Sequence, residues 1–290
     1  MHPGAVPYLG AWWASVAGQT DAEFDLWISV DGLRIEDAMS AMGARPRAIW
    51  MRAPAGASPT AIRAHAIEMM AGEYDAIVFV DSDDVLHPTR IAAAREALAE
   101  HDVAACALRI IDAEGRDLAR TFGPESTHDA SALLPRYNVF GLSNSAYRSD
   151  VLRRCLPIPP ACVASDWLMA TRAWAMGAAL AFDATPRMSY RQYGSNTARV
   201  IPPFTHEHVR AATECVAAHY RYVLESGWSL PEGVRRELRS ARARVECFRQ
   251  AITTRERTLD AYVEALNALT PRYVWWWCVA HPELEALWTS

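Results

Sequence analysis

Three aspartates follow a strongly apolar segment in VFVDSDDVLHP, residues 78–88. The apolar residues before Asp81, Asp83 and Asp84 are mostly β-branched or aromatic and predict a buried strand. Pro88 then stands where a helix tolerates proline, in its first turn. Ligands of open α/β sheets bind at the carboxyl ends of the strands. Carboxylates grouped there repel one another unless a cation joins them, and such oxygen ligands suit Mg²⁺ or Mn²⁺. We therefore predict a site for a metal ion and a diphosphate.

The bulk composition is that of an ordinary globular protein. Of the 290 residues 51% are hydrophobic and 22% are charged, and the net charge is −5. The acidic balance argues against a general affinity for nucleic acid. No apolar run approaches the ~20 residues that span a bilayer, and the first residues lack the pattern of a signal peptide. The six cysteines form no CxxC pair, as expected for reduced thiols in a cytoplasmic protein.

Strands alternate with helices through the first two thirds of the chain. The predicted strands lie at 24–30, 47–51, 76–80, 103–111 and around 179–183, and the predicted helices at 5–18, 33–42, 60–71, 88–100 and 165–177. This alternation predicts an α/β fold with a mostly parallel sheet flanked by helices. From residue 206 onward the pattern is helical, with breaks near 229–231 and Pro271. We expect one α/β domain over 1–200 and a helical C-terminal extension over 201–290 that packs on it.

Several segments in this order resemble the family-2 inverting glycosyltransferases with the GT-A fold, over about residues 5–200. They are Tyr8-Leu9, Ser15-Val16 with Gln19-Thr20, Asp31-Gly32, Asp81-Ser82-Asp83-Asp84 with Pro88, Asp166 with Arg172 and Gly177, and Tyr190-Arg191-Gln192-Tyr193-Gly194-Ser195-Asn196. Each motif alone is weak, whereas their common order and spacing are specific. The resemblance implies a GT-A fold, a nucleotide diphosphate sugar as donor, and Mn²⁺ or Mg²⁺ as cofactor.

The resemblance also implies roles for individual residues. Asp31 holds the nucleotide base, Asp81 lies near the ribose, and Asp83 holds the metal ion. Asp166 opens a helix and is the general base. Arg191 belongs to the segment near the donor, where it binds the diphosphate or, alternatively, pairs with an acid.

The chemistry of glycosyl transfer gives these residue types a purpose. A divalent cation stabilises the negative charge of the departing diphosphate, which is a reason for Asp83 to lie there. An acceptor hydroxyl must lose its proton as it attacks, and Asp166 is the candidate base. A single base of this kind gives direct displacement and inversion, whereas retention by double displacement requires a second, closely placed nucleophile.

Structural alternatives remain for each of these residues. In the first alternative, the acids after residue 80 have the purely structural role of ending a strand and starting a helix. In the same way, Asp31 would serve only to form a turn before glycine, and Asp166 would serve only to cap its helix. Trp167 either stacks on an acceptor ring or packs in the core. The aromatic cluster Tyr273–Trp277 predicts packing, with contact to an acceptor or a membrane surface as the alternative.

Two features depart from the family pattern. The family begins with an apolar strand at the centre of the sheet, and residues 1–7 contain no such strand. We expect the segments 24–30 and 76–80 to be strands of one parallel sheet that flank the place of this strand. We also expect the chain to be poorly stable without it, because buried backbone groups need partners. Tyr193 stands where the family often has a histidine near the metal ion.

The sequence thus predicts an inverting glycosyltransferase of the hexosyl- or deoxyhexosyltransferase class that acts on a hydroxyl acceptor. The acceptor is a glycan, a lipid-linked glycan or a small molecule, and the sequence does not choose among them. The alternative is a catalytically impaired GT-A-like binding or scaffold protein.

Overall fold

The computed structural model describes residues 1–124, 130–194, 196–225 and 227–289. Its strands are β1 (Trp27–Val30), β2 (Ile49–Arg52), β3 (Ala76–Val78), β4 (Val85–Leu86), β5 (Val103–Ile111), β6 (Asp117–Phe122), β7 (Ser145–Arg148) and β8 (Leu180–Arg191). Its α-helices are α1 (Leu9–Ala17), α2 (Ile35–Met42), α3 (Pro59–Met70), α4 (Arg90–Glu100), α5 (Ser149–Arg154), α6 (Ser165–Ala175), α7 (His206–Glu225), α8 (Glu232–Thr254), α9 (Glu256–Ala268) and α10 (Ala286–Thr289). None of the helices in these ranges is long and apolar enough to cross a membrane.

The strands form two separate sheets. One contains only β1 and β2, which run parallel, and the other has the order β3-β7-β5-β8-β4, with β6 added beside β5. The prediction of an α/β fold is confirmed, but that of a mostly parallel sheet is confirmed only in part. In the larger sheet β5 and β8 are parallel, whereas the other pairs between described strands are antiparallel.

Two of the four antiparallel pairs among the described strands involve β7, a strand of only four residues. It pairs antiparallel with β3 on one side and with β5 on the other, and therefore separates these two strands. β5 lies at the centre of the larger sheet, and eight of its nine residues are buried. This fits the continuous apolar run of its sequence, because a strand covered on both faces reads as an unbroken apolar segment.

Neighbouring edges of the two sheets border one large cavity. Residues of β1 and of β3 line it, and no pairing joins these two strands in the described part of the chain. The predicted strands at 24–30 and 76–80 therefore face a common gap rather than belonging to one sheet. Met1 closes the end of this gap: its amino group donates to the Ser29 carbonyl at 2.5 Å, and its carbonyl accepts from the Asp31 amide at 2.8 Å.

The C-terminal third is helical, but it ends in an aromatic segment that returns to the sheet. Asn138 and Trp275 form an isolated antiparallel bridge, and the Gly123 amide donates to the Tyr273 carbonyl at 2.9 Å. Trp276 and Ala280 adopt left-handed backbone angles, with φ of 71° and 47°. Such angles are rare outside glycine and asparagine. The segment 273–281 thus follows an irregular path that the surrounding packing holds in place.

Candidate functional site

The acid cluster occupies the loop between β3 and β4. The Asp81 amide donates to the Ser143 hydroxyl at 3.0 Å, which fixes the start of the loop beside β7. Asp84 is only 1% exposed and accepts a hydrogen bond from the Arg191 amide at 3.0 Å. Burial and the charges of its neighbours hold the pKa of Asp84 well above its usual range. Asp84 therefore ties the loop to the end of β8, while Asp81 and Asp83 are more exposed members of the cluster.

Asp83 is paired with a tyrosine in this structure. The Tyr193 hydroxyl donates to an Asp83 carboxylate oxygen at 2.6 Å. Burial, followed by the charge of Asp81, raises the pKa of Asp83, and burial also raises the pKa of Tyr193. The tyrosine therefore keeps its proton at neutral pH and serves as a hydrogen-bond donor. The described residues contain no group of three or more His, Cys, Asp or Glu side chains arranged to hold a metal ion.

Arg63 is a site residue that the sequence did not single out. It projects from α3, and its guanidinium lies 2.8 Å from an Asp81 carboxylate oxygen. Its charge also acts on Asp166, whose pKa it lowers. Arg63 thus offsets part of the negative charge of the Asp81 and Asp166 carboxylates. No local motif marks Arg63, because only the fold brings α3 beside the acid loop.

Asp166 lies in the first turn of α6, as predicted, and it lines the same cavity as the acids. Burial raises the pKa of its carboxyl to about 6, against the opposing effects of the Trp167 amide and Arg63. The Asn138 side-chain amide donates to its Oδ2 at 3.0 Å. A carboxylate of this kind is ionised at neutral pH but basic enough to accept a proton.

The remaining predicted residues divide into one that lines the cavity and two that do not. Asp31 follows β1 and lines it. Arg191 is 3% exposed and is absent from the lining; its guanidinium donates to the carbonyls of Asp83, Asp112 and Ala113, at 2.8, 3.1 and 2.9 Å. Arg191 therefore braces the acid loop here, and a contact with the donor diphosphate would require these bonds to be exchanged.

Trp167 is completely buried and offers no face to a ligand in this structure. Its indole nitrogen donates to the Leu134 carbonyl at 2.9 Å, and its ring stacks on His219 with the centroids 3.8 Å apart. Two members of the aromatic cluster 273–277, Trp275 and Trp276, line the cavity instead. The core reading of Trp167 thus fits the structure, whereas the aromatic cluster 273–277 extends from the core into the cavity wall.

The cavity has a volume of about 1270 Å³. Asp31, Asp81, Asp83 and Asp166 line it together with Arg63. The rest of its wall contains both apolar and charged residues, including those of β1 and β3. Ser195, in the predicted segment after β8, lies outside the described residues.

Comparisons with known proteins give the fold a context. No protein-family model matches the sequence, and no curated protein matches it significantly. Among solved structures, Staphylococcus aureus TarS 1–349 in complex with UDP aligns with a TM-score of 0.58 at 16% identity, over 98% of this chain and 80% of that chain. The same TarS fragment with UDP-GlcNAc aligns at 0.57 and 15% identity, with the same coverage. The mannosyltransferase PcManGT from Pyrobaculum calidifontis, in complex with GDP-Man and Mn²⁺, aligns at 0.53 and 13% identity, over 97% of this chain and 70% of that chain. The chain is therefore similar in fold to proteins seen with nucleotide sugars.

Proposed function

We propose that this protein is an inverting glycosyltransferase with the GT-A fold, which transfers a sugar from a nucleotide diphosphate donor to a hydroxyl acceptor. The observation that carries the proposal is the single cavity that holds Asp31, Asp81, Asp83 and Asp166. It combines an acidic loop for a metal-bound diphosphate with a separate carboxylate of raised pKa. The similarity in fold to proteins seen with UDP-GlcNAc and GDP-Man supports this choice of donor.

The donor would lie across the acid loop. Asp31 contacts the nucleotide base and Asp81 the ribose, both from the ends of strands. Asp83 would hold Mn²⁺ or Mg²⁺, because these ions bind proteins through one or two carboxylates and complete their shells with phosphate and water. Such an ion, when bound, stabilises the charge on the leaving diphosphate. Arg63 compensates the negative charge of Asp81 and Asp166 around the donor.

Asp166 acts on the acceptor. Its carboxylate accepts the proton of the attacking hydroxyl, a role that is worth about 10²–10⁴-fold in rate. The hydroxyl oxygen forms the new bond to the anomeric carbon while the bond to the diphosphate breaks on the opposite face, so the configuration inverts. The acceptor is a glycan, a lipid-linked glycan or a small molecule, and the donor sugar is a hexose or deoxyhexose.

The second candidate function is that of a GT-A-like binding or scaffold protein with impaired catalysis. The hydrogen bond between Tyr193 and Asp83 favours it, because a metal ion must compete with this donor for the carboxylate. The two candidates differ in turnover rather than in binding.

Release of nucleoside diphosphate from a panel of sugar nucleotides, with Mn²⁺ and with Mg²⁺, tests the proposal. We expect metal-dependent release from at least one donor, and a product whose anomeric configuration is opposite to that of the donor. Donor binding without release under any condition would favour the scaffold, and a product of retained configuration would overturn the single-displacement mechanism.

A further inference from the structure

Asn138 is completely buried behind the candidate base, and each of its polar groups has a partner. Its side-chain Nδ2 donates to Asp166 at 3.0 Å, and its Oδ1 accepts from the Phe140 amide at 2.9 Å. Because the Phe140 amide is a donor only, it fixes the orientation of the Asn138 side chain. The amide nitrogen must then face Asp166. Asn138 is not itself part of the cavity lining, so it reaches a ligand only through Asp166.

The backbone of Asn138 is held by the C-terminal aromatic segment. Its carbonyl accepts from the Trp275 amide at 3.2 Å, and its amide donates to the Trp275 carbonyl at 3.4 Å. These two bonds form an antiparallel bridge between residues that are far apart in the sequence. The position of the Asn138 side chain therefore depends on where Trp275 lies.

Trp275 in turn has little freedom to move. Its ring lies 4.0 Å from the Phe122 ring between centroids, and its indole nitrogen donates to the Tyr190 hydroxyl at 3.4 Å. A Cβ atom at Gly141 would come within 2.2 Å of the Trp275 ring, so glycine is required for this approach. The ring is thus enclosed by β6, by β8 and by the loop that contains Gly141.

Several other groups act on the Asp166 carboxyl. Arg63 from α3 and the Trp167 amide favour the ionised form, whereas Asp81 from the acid loop disfavours it. Tyr147 on β7, Cys162 before α6 and Cys215 on α7 also lie close enough to interact with its charge. The pKa values of these two cysteines are raised to about 12, so both are neutral thiols near pH 7. Asn138 differs from all of these groups in donating a side-chain hydrogen bond from the side away from the cavity.

We propose that Asn138 is the positioning residue for the base Asp166, and that Trp275 holds it in place, so that the C-terminal segment completes the catalytic site. This inference rests on the proposed transfer reaction, in which Asp166 takes the acceptor proton. The hydrogen bond fixes one carboxylate oxygen and leaves the other for the acceptor hydroxyl. It also favours the ionised form of Asp166, because a donor to a carboxylate stabilises its charge.

Asn138→Asp and Asn138→Ala test the inference through the pH profile of kcat. In the wild type, kcat falls as the pH drops through the Asp166 pKa, because the base becomes protonated. Loss of the donor raises this pKa, so the fall begins at a higher pH. We expect a shift of about one pH unit in Asn138→Asp, where a second carboxyl group adds repulsion, and a smaller upward shift in Asn138→Ala. The shift alone roughly halves the ionised fraction of Asp166 at pH 7, and loss of positioning lowers kcat further. We therefore expect kcat at pH 7 to drop at least tenfold in Asn138→Asp, with donor affinity within about twofold of wild type.

Asn144→Ala is the matched control. Asn144 is equally buried, and its side chain donates to the carbonyls of Cys106 and Val139 rather than to Asp166. We expect this variant to melt at a lower temperature with an unchanged pH profile. Gly141→Ala acts on the other end of the chain of contacts by displacing Trp275, and we expect it to shift the profile in the same direction as Asn138→Ala.

A direct titration separates this inference from the proposed function. The Asp166 carboxyl carbon can be followed by ¹³C NMR against pH, and identified by its loss in Asp166→Asn. If the wild type transfers no sugar but the Asp166 pKa rises in Asn138→Asp, the proposed function fails while the positioning contact stands. An unchanged Asp166 pKa and an unchanged kcat profile in folded Asn138→Asp and Gly141→Ala would overturn the inference.

Discussion

The gap between β1 and β3 predicts that an added strand stabilises the protein. The contacts of Met1 show how such a strand would run. A residue that donates to Ser29 and accepts from Asp31 pairs with β1 as one residue of a parallel ladder opposite Val30. Residues placed ahead of Met1 would extend this pairing into the gap. The burial of the Met1 amino group lowers its pKa, so a peptide bond there would also remove a poorly solvated charge.

The perturbation is a fusion of five β-branched apolar residues ahead of Met1. Apolar side chains suit both faces of such a strand, because α1 and α4 contribute Trp12, Val16 and Leu98 to the cavity wall and α3 contributes Ile62 and Ala66. β1 is four residues long and Met1 already lies opposite Val30, so about three added residues can pair with the rest of it.

The magnitude follows from burial and chain entropy. Three buried aliphatic side chains contribute about 4.5–9 kcal/mol, at roughly 1.5–3 kcal/mol each. Ordering three residues costs about 4.5 kcal/mol, at roughly 1.5 kcal/mol each. The net gain is then about 2 kcal/mol, near the middle of the range. At roughly 2–4 °C per kcal/mol for a domain of this size, we expect the melting temperature to rise by about 4–8 °C.

The assay compares this fusion with one of equal length that carries proline at alternate positions. Proline cannot donate to a strand ladder, so the control adds apolar mass without pairing. Thermal melts report the stability, and hydrogen exchange reports whether the amides of β1 and β3 become protected. Equal melting temperatures and equal exchange in the two fusions would refute the reasoning, and would show that the two sheets pack stably as they are.

Three further predictions concern the site. Asp83→Ala should abolish the Mn²⁺ dependence of donor binding while the fold persists, as calorimetric titration with and without Mn²⁺ and a thermal melt would show; unchanged metal-dependent affinity would remove Asp83 as the metal ligand. Asp166→Asn should keep donor affinity but lower transfer at least roughly tenfold, because an amide cannot accept the proton; transfer within about threefold of wild type would exclude Asp166 as the base. The kcat of the wild type should fall below pH of about 6, since burial raises the Asp166 pKa to that value and the base is lost as the pH drops through it; an acidic limb near pH 4 would contradict this pKa.

The sequence predicted the elements with strong patterns and missed those without one. The apolar run at 103–111 became β5 with the same bounds, and the predicted helix at 165–177 became α6. β7 was missed because it has four residues in a Ser- and Asn-rich region that shows no periodicity. Its insertion between β3 and β5 creates two of the four antiparallel pairs, among the described strands, that make the sheet less parallel than the alternation of elements suggested. A short strand can be recognised only by its neighbours, which lie far away in the sequence.

The candidate site was predictable to a similar degree. The acids after β3 and Asp166 were marked by their places at the ends of strands and helices, and the structure brings them into one cavity. Trp167 was wrongly considered for the site because it is next to the base in the sequence. Nine of the eleven residues of α6 are buried, so a residue beside the base along the helix need not face the cavity. Arg63 and Asn138 carry no signal in the sequence, because each acts through a single contact made by the tertiary fold.

The proposed site has two halves, the acid loop and the base Asp166, and different parts of the fold support them. We therefore expect a given perturbation to change either donor binding or the pKa of Asp166, but not both. The acid loop follows β3, and one edge of β3 has no strand partner within the described residues and borders the gap. Asp166 is instead held by Asn138 and the bridge to Trp275. A strand that fills the gap should therefore tighten donor binding and leave the pKa of Asp166 unchanged. Asn138→Asp should do the reverse, raising that pKa with little effect on donor affinity. A response of both properties to either change would mean that the halves are coupled, and that the aromatic segment and the sheet edge move as one unit.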